Sequence, residues 1–143
     1  MIYHEEKVRV RYSETDKMGY VYYGNYASYL EVARVELIRS LGLSYKKMED
    51  EGVMLPIAEY KNKYLRPAYY DDLLTIKTWI REKPGMKLRF DYEIENQEGM
   101  LLTVAETTLV FVSMETFKPM QPPQNFIEAT QKYFEPARRE RKN

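Results

Sequence analysis

Two acidic residues, Glu14 and Asp16, lie two positions apart in front of a stretch with the apolar spacing of a helix. If the segment is extended, both side chains project to the same side. One of them could then act as a nucleophile or a general base. The helix that follows would place unpaired backbone N–H groups beside the acid. This combination suits attack on a carbonyl group and stabilisation of the oxyanion that the attack creates.

Several other kinds of site are excluded by composition. The chain has no cysteine, which removes disulfides, thiolate nucleophiles and cysteine-rich zinc sites. Its one histidine, His4, lies near the N-terminus, so a Ser-His-Asp triad and an HExxH zinc site are both excluded. The 22 basic and 22 acidic residues cancel, which argues against a nucleic-acid-binding protein held by bulk charge.

Tyrosine is the unusual part of the composition, with 14 copies in 143 residues. Tyr20, Tyr22 and Tyr23 follow Asp16 and could line a pocket; the alternative is that they pack in the core or at an interface. No window has the length and apolarity of a signal peptide or a transmembrane span. We therefore expect a soluble protein of the cytoplasm.

Hydrophobic spacing predicts the elements that position these residues. Apolar side chains recur every three or four residues from Tyr26 to Leu41, which predicts a helix with Asn25 as its N-cap and Gly42 after its end. Short helices are expected at 44–51 and 125–134. Five strands are expected at 5–13, 55–65, 73–82, 87–95 and 100–113.

The arrangement of these elements follows from their order. Val8, Val10 and Tyr12 alternate with charged residues, so we expect them to face inwards from the first strand. The four strands after the long helix follow one another through short turns, which favours antiparallel pairing. Because the helix must bury its apolar stripe against one face of that sheet, we expect an α+β fold. It is a single domain over residues 1–143, with its core at 6–130 and a charged, solvated tail at 135–143.

Two sequence runs resemble a known family. The run YSETDKMGYVYYGNY at 12–26, continued by Tyr29, Glu31, Ala33 and Arg34, is similar to the hotdog-fold acyl-CoA thioesterases, and so is RPAYYDDL at 66–73. Within this family the sequence looks most like the 4-hydroxybenzoyl-CoA thioesterase-like group. The resemblance implies a five-stranded antiparallel sheet wrapped around one long helix. It also implies a homodimer or homotetramer with active sites at the subunit interface.

The resemblance further implies an activity and the residues that perform it. The protein would hydrolyse an acyl-CoA to a free acid and coenzyme A, without a metal or a separate cofactor. Asp16 would be the nucleophile or the general base, and the backbone N–H of Tyr23 would polarise the thioester carbonyl. Some relatives have a histidine at the position of Tyr23, and this chain lacks that imidazole. A hotdog module that binds acyl-CoA or an acyl carrier without turnover is the alternative function.

Other residues near these positions have weaker assignments. Tyr22 and Asn25 are candidates for substrate binding. Lys83 and Lys87 could bind the phosphates of coenzyme A, with solvated lysines at a strand edge as the alternative. Glu14 is expected to be a solvated or ion-paired neighbour of Asp16. Glu31 is expected to form a surface pair with Arg34.

Overall fold

The computed structural model describes residues 1–135. One sheet contains β1 (Ile2–Arg9), β3 (Ile57–Tyr64), β4 (Leu73–Ile80), β5 (Lys87–Glu95) and β6 (Leu101–Val110). All its pairs are antiparallel, and the strand order is β1-β4-β5-β6-β3. The short strands β2 (Val53–Met54) and β7 (Val112–Ser113) form a separate ladder. The predicted five-stranded antiparallel sheet and the α+β class are confirmed.

In the described part of the chain, three α-helices accompany the sheet: α1 (Tyr26–Ser40), α2 (Tyr45–Asp50) and α3 (Gln124–Thr130). The long helix α1 packs against β1 and β4 and buries the stripe formed by Leu30, Ala33 and Leu37. Gly42 follows its end with φ +80°, a left-handed conformation that glycine adopts without steric strain. In residues 1–135, no helix has the length and apolar character needed to cross a membrane.

The neighbouring strands β4 and β5 lie where the alternating pattern predicts them, because each buries one of its two faces. Leu74, Ile76 and Ile80 of β4 are buried towards α1, and so are Leu88, Phe90, Tyr92 and Ile94 of β5. The charged residues between them face the other side of the sheet, where they remain accessible. Burying one large apolar side chain stabilises the folded state by about 1.5–3 kcal/mol. A change of register that turned these side chains out of the core would lose that stabilisation, so the core fixes the register of both strands.

The edge strand β3 differs from these central strands. Within residues 1–135 it pairs only with β6, and seven of its eight residues are exposed. Tyr60 and Tyr64 are 40% and 48% exposed. Alternation along the sequence predicts a strand at this position, but it does not indicate that the strand lies at an edge.

The predicted strand at 5–13 is wrong at its C-terminal end. The strand ends at Arg9, and a 3₁₀ turn follows at Tyr12–Glu14. Arg11 N donates to Glu14 Oε1 at 2.7 Å, while Glu14 N donates to Arg11 O at 3.0 Å. These bonds take the chain away from the sheet and leave Tyr12 77% exposed rather than inward-facing. The charged tail expected at 135–143 lies outside the described residues, except for Glu135.

Candidate active site

A short loop of residues 16–20 presents Asp16 at the surface. A bridge between Thr15 and Val21 closes the loop, and Asp16 N donates a 2.8 Å hydrogen bond to Tyr20 O. Gly19 reverses the chain with φ +81°. Asp16 Oδ1 accepts a 2.8 Å hydrogen bond from Met18 N. Within the described residues Oδ2 has no donor, so one carboxylate oxygen is held and the other is available.

Glu14 joins this loop to α1. Its Oε1 accepts hydrogen bonds from Arg11 N at 2.7 Å and from the Tyr29 hydroxyl at 3.0 Å. Its carbonyl oxygen accepts from Tyr22 N at 2.9 Å and from Asn25 Nδ2 at 2.8 Å. The expectation of a solvated or ion-paired acid is wrong, because Glu14 is half-buried and its partners are uncharged groups. Burial and the bond to Glu14 raise the pKa of Tyr29, which keeps that phenol a donor.

The start of α1 supplies a free backbone donor. The chain enters the helix through a 3₁₀ turn at Tyr23–Asn25. The Tyr23 N–H finds no acceptor among residues 1–135, as is usual in the first turn of a helix. The positive end of the helix dipole lies at the same place. Gly24 keeps the turn compact, because a Cβ there would lie 2.9 Å from Cε1 of Tyr22.

Asn25 holds the predicted N-cap position but does not cap the helix with its side chain. Its Nδ2 instead donates to Glu14 O at 2.8 Å. The side chain therefore fastens the start of α1 to the loop before Asp16. Capping was predicted because asparagine is common at N-caps, and the competing acceptor on Glu14 depends on the folded loop. Substrate binding by Asn25 stays a prediction.

A pocket of about 250 Å³ opens beside the start of α1, and we call it the tyrosine pocket. Its wall consists of Tyr20, Val21, Tyr23, Tyr26, Tyr64, Leu65, Arg66 and Pro67. Burial raises the pKa of Tyr64 to about 12, so this phenol is neutral at pH 7. The pocket therefore offers flat apolar surfaces with neutral hydroxyl groups, and Arg66 is the one charged residue of its wall. Such a wall suits an organic group with an apolar body.

The tyrosine pocket includes some of the predicted site residues and omits others. Tyr20 and Tyr23 line it. Tyr22 lies outside the pocket, and the centroid of its ring is 4.7 Å from that of the Tyr23 ring. Substrate binding by Tyr22 stays a prediction. Asp16 is not part of the wall, but its backbone N–H donates to the carbonyl oxygen of Tyr20, which is. Sequence reasoning did not identify Tyr64, because only tertiary packing brings the end of β3 to the start of α1.

Lys83 and Lys87 lie at the opposite end of the sheet from Asp16 in the same chain. The Asp16 loop contacts the chain where β4 begins, through a bridge between Tyr20 and Tyr69. The two lysines flank the turn that follows the end of β4. An eight-residue strand is about 25 Å long, so one chain does not bring these lysines and Asp16 into one site. Their contact with coenzyme A stays a prediction.

Arg34 is part of the core rather than of the helix surface. It is 6% exposed, and its Nη1 donates to the Tyr92 hydroxyl at 3.2 Å. That hydroxyl lies 2.6 Å from Thr107 Oγ1. The ion pairs in residues 1–135 do not include one between Glu31 and Arg34. The predicted surface pair is wrong, because the buried stripe of α1 is wide enough to include position 34.

These positions can support attack on an activated carbonyl group. The hydrogen bonds of Glu14 hold the loop with the available carboxylate oxygen against the start of α1 with its free backbone N–H, and the tyrosine pocket opens beside that start. In the part of the chain that the structure describes, no three His, Cys, Asp or Glu side chains are grouped to hold a metal ion.

Comparisons with known proteins show the family of this chain. Residues 10–130 match the family described as the thioesterase-like superfamily. The acyl-CoA thioester hydrolase YbgC of Escherichia coli O6:H1 is 35% identical over 120 residues, covering 84% of this chain and 90% of that protein.

Solved structures share the fold. The DHNA-CoA thioesterase from Staphylococcus aureus has a TM-score of 0.89 and 36% identity, covering 94% of this chain and 92% of that chain. The hypothetical protein TT1821 from Thermus thermophilus has a TM-score of 0.83 and 31% identity, covering 89% and 96% of the two chains. The chain has the hotdog fold and belongs to the thioesterase-like superfamily.

Proposed function

We propose that this protein hydrolyses an acyl-CoA thioester to a free carboxylic acid and coenzyme A. Asp16 supplies the nucleophile or the general base, and the Tyr23 N–H stabilises the oxyanion. The chain is an enzyme of the thioester hydrolase class, in keeping with its superfamily and with its similarity to YbgC. We also propose that the protein acts in the cytoplasm.

The link through Glu14 is the observation that carries this proposal. Its side chain is bonded to Tyr29 of α1, and its backbone is bonded to Tyr22 at the entry to α1. Asp16 follows two residues later, so the available carboxylate oxygen and the free Tyr23 N–H are held in one unit. Such preorganisation is the main source of oxyanion stabilisation.

The chemistry is within reach of these two groups. A thioester lacks the resonance stabilisation of an amide and releases a good thiolate leaving group. As a nucleophile, Asp16 would add to the carbonyl carbon, the C–S bond would break, and water would hydrolyse the resulting anhydride. As a general base, it would take a proton from the attacking water. In both routes the Tyr23 N–H donates to the carbonyl oxygen as it gains charge.

We also propose that the active protein is a homodimer or a homotetramer. The free edge of β3 exposes Ile57, Tyr60 and Tyr64, and an open strand edge of this kind is a template for pairing with another strand. A second copy is the proposed partner. Light scattering after size exclusion would give the mass, and Tyr60→Glu is expected to shift it towards the monomer.

The alternative is a binding module that holds an acyl-CoA or acyl carrier without turnover. The available oxygen of Asp16 favours the enzyme, because a binding site has no need of a carboxylate beside a thioester. Purified protein should therefore release thiol from at least one member of a panel of aryl, short-chain and long-chain acyl-CoAs. Tight binding without thiol release across the whole panel would instead support the module.

A further inference from the structure

A small pocket lies where α3 meets the turn between β4 and β5, and we call it the α3 pocket. Its volume is about 210 Å³. Its wall consists of Lys83, Pro84, Gln121, Pro122, Phe126, Ile127, Thr130 and Gln131. It shares no residue with the tyrosine pocket. In one chain the two pockets lie at opposite ends of the sheet, because Lys83 follows the end of β4 whereas Arg66 and Pro67 precede its start.

The buried part of this wall is mainly apolar. Phe126 is fully buried and packs edge-to-face on Phe111 with ring centroids 5.0 Å apart. Pro122 is also buried, and Ile127 is half-buried. The hydroxyl of Thr130 donates to Phe126 O at 2.8 Å, so its proton is already used within α3. An apolar cavity of about 150 Å³ is enough to bind benzene, so the α3 pocket has room for a hydrocarbon group of that size.

The charge of the wall is positive. Within the described residues, Lys83 is its one charged side chain, and the ion pairs there do not include it. The neighbouring acid Glu82 lines a separate hollow together with two arginines. Glu128 of α3 is not part of the wall either, and it accepts from Gln124 Nε2 at 3.2 Å. The Lys83 ammonium is therefore available to an anionic ligand.

Two amides complete the polar side of the pocket. Gln121 and Gln131 are exposed like Lys83, and each has an NH₂ group that can donate to a carboxylate oxygen. A single positive charge above an apolar interior suits a singly charged ligand with an apolar body. We propose that the α3 pocket binds a small monocarboxylic acid whose apolar body is about the size of a benzene ring. Binding here is independent of the proposed function, because the pocket lies away from Asp16 and Tyr23.

Benzoate and benzamide are the two probes, because they share the aromatic ring and differ in charge. An NMR titration of the full ¹⁵N-labelled chain measures both the affinity and the place of binding. We expect benzoate to shift the backbone amide signals of Lys83, Ile127 and Gln131 with a Kd of about 1 mM, which is usual for a ligand of this size. Benzamide should bind about fivefold more weakly, because it lacks the charge that Lys83 attracts.

Four variants assign this preference to particular side chains. Lys83→Met should lower the affinity for benzoate to that for benzamide, whereas Lys83→Arg keeps the charge and should keep the preference. Lys87→Met is the matched control, because it removes a lysine near the same turn that is not part of the wall. It should bind both probes as wild type does. Ile127→Thr should weaken both probes alike, because it makes the shared apolar wall more polar.

Other outcomes would overturn the proposal. Equal affinity of the wild-type protein for the two probes, or no binding at about 20 mM benzoate, would contradict a carboxylate site. Shifts confined to the tyrosine pocket would place the acid there. A Lys83→Met protein that still prefers benzoate would exclude Lys83 as its partner.

Adenosine 3′,5′-bisphosphate is the third probe, because Lys83 is also a candidate for the phosphates of coenzyme A. We expect it to leave the signals of Ile127 and Gln131 unshifted at concentrations where benzoate shifts them. If it binds in the α3 pocket more tightly than benzoate and Lys83→Met weakens that binding, the pocket holds phosphates and the proposal is wrong. None of these measurements requires thioester hydrolysis, so they stand whether or not the proposed function does.

Discussion

The hydroxyl of Tyr29, a residue that is 2% exposed, donates a 3.0 Å hydrogen bond to Oε1 of Glu14. Tyr29→Phe removes one of the two donors to this carboxylate oxygen and loosens α1 from the segment that leads to Asp16. We expect kcat for thioester hydrolysis to fall about tenfold, and the free energy of unfolding to fall by about 1–2 kcal/mol. Steady-state kinetics and urea unfolding measure the two effects.

The matched control for this change is Tyr133→Phe, which removes a phenol hydroxyl after α3. We expect its kinetics to be unchanged. If Tyr29→Phe folds stably and keeps the wild-type kcat, the hydrogen bond to Glu14 does not position Asp16.

Two substitutions at Glu14 distinguish a residue that positions Asp16 from one that takes part in the reaction. Glu14→Gln keeps an oxygen that accepts from Arg11 N and the Tyr29 hydroxyl, whereas Glu14→Ala removes the acceptor. We expect the glutamine variant to retain kcat within about threefold and the alanine variant to lose about tenfold or more. If the glutamine variant is as inactive as Asp16→Asn, the charge of Glu14 itself takes part in the reaction.

The same substitution at two buried threonines should have opposite effects on the free energy of unfolding. Thr78 and Thr107 are both fully buried, but Thr78 Oγ1 has no partner in the described structure, whereas Thr107 Oγ1 lies 2.6 Å from the Tyr92 hydroxyl. Thr78→Val should leave the free energy of unfolding unchanged or raise it by about 1 kcal/mol. Thr107→Val should lower it by about 1–2 kcal/mol. Equal losses in urea unfolding would contradict this interpretation.

Alkaline pH should destabilise the protein through its buried phenols. Burial raises the pKa of Tyr26, Tyr29 and Tyr92 above the ordinary value of 10.0. As the pH rises above 10, the unfolded chain therefore loses protons that the folded chain retains. The free energy of unfolding is then fully maintained below pH 10 and falls as the pH rises above 10.

Urea unfolding at pH 8, 9, 10 and 11 tests this pH dependence. Tyr26→Phe should reduce the slope of the free energy of unfolding against pH, because it removes one of the shifted, buried phenols. A slope near zero from pH 9 to pH 11 in the wild-type protein would exclude the predicted linkage.

Local periodicity was sufficient to predict the elements whose burial alternates regularly. The spacing in α1, β4 and β5 matches the faces that they bury, so their positions and inward residues follow from the sequence. The end of β1 does not follow, because the side chain of Glu14 closes a turn that the alternating pattern does not report. Strand order and the exposed edge of β3 depend on long-range pairing.

The candidate site could be predicted only in part. The motif names Asp16 and Tyr23 as candidates, because both lie in one continuous run, and their catalytic roles stay predictions. Tyr64 and Arg66 reach the same place from the end of β3, and no spacing in the sequence indicates that contact. Arg34 was predicted to pair at the surface, since charge alone does not reveal that α1 buries it beside Tyr92.

Thiol release by Asp16→Asn is the most direct test of the proposed mechanism. The control is Asp50→Asn, which changes an exposed carboxylate on α2. On an acyl-CoA that the wild-type protein cleaves, we predict that Asp16→Asn loses at least about 100-fold in kcat, while Asp50→Asn matches wild type. Wild-type thiol release by a folded Asp16→Asn protein would contradict the assignment of Asp16 as nucleophile or general base.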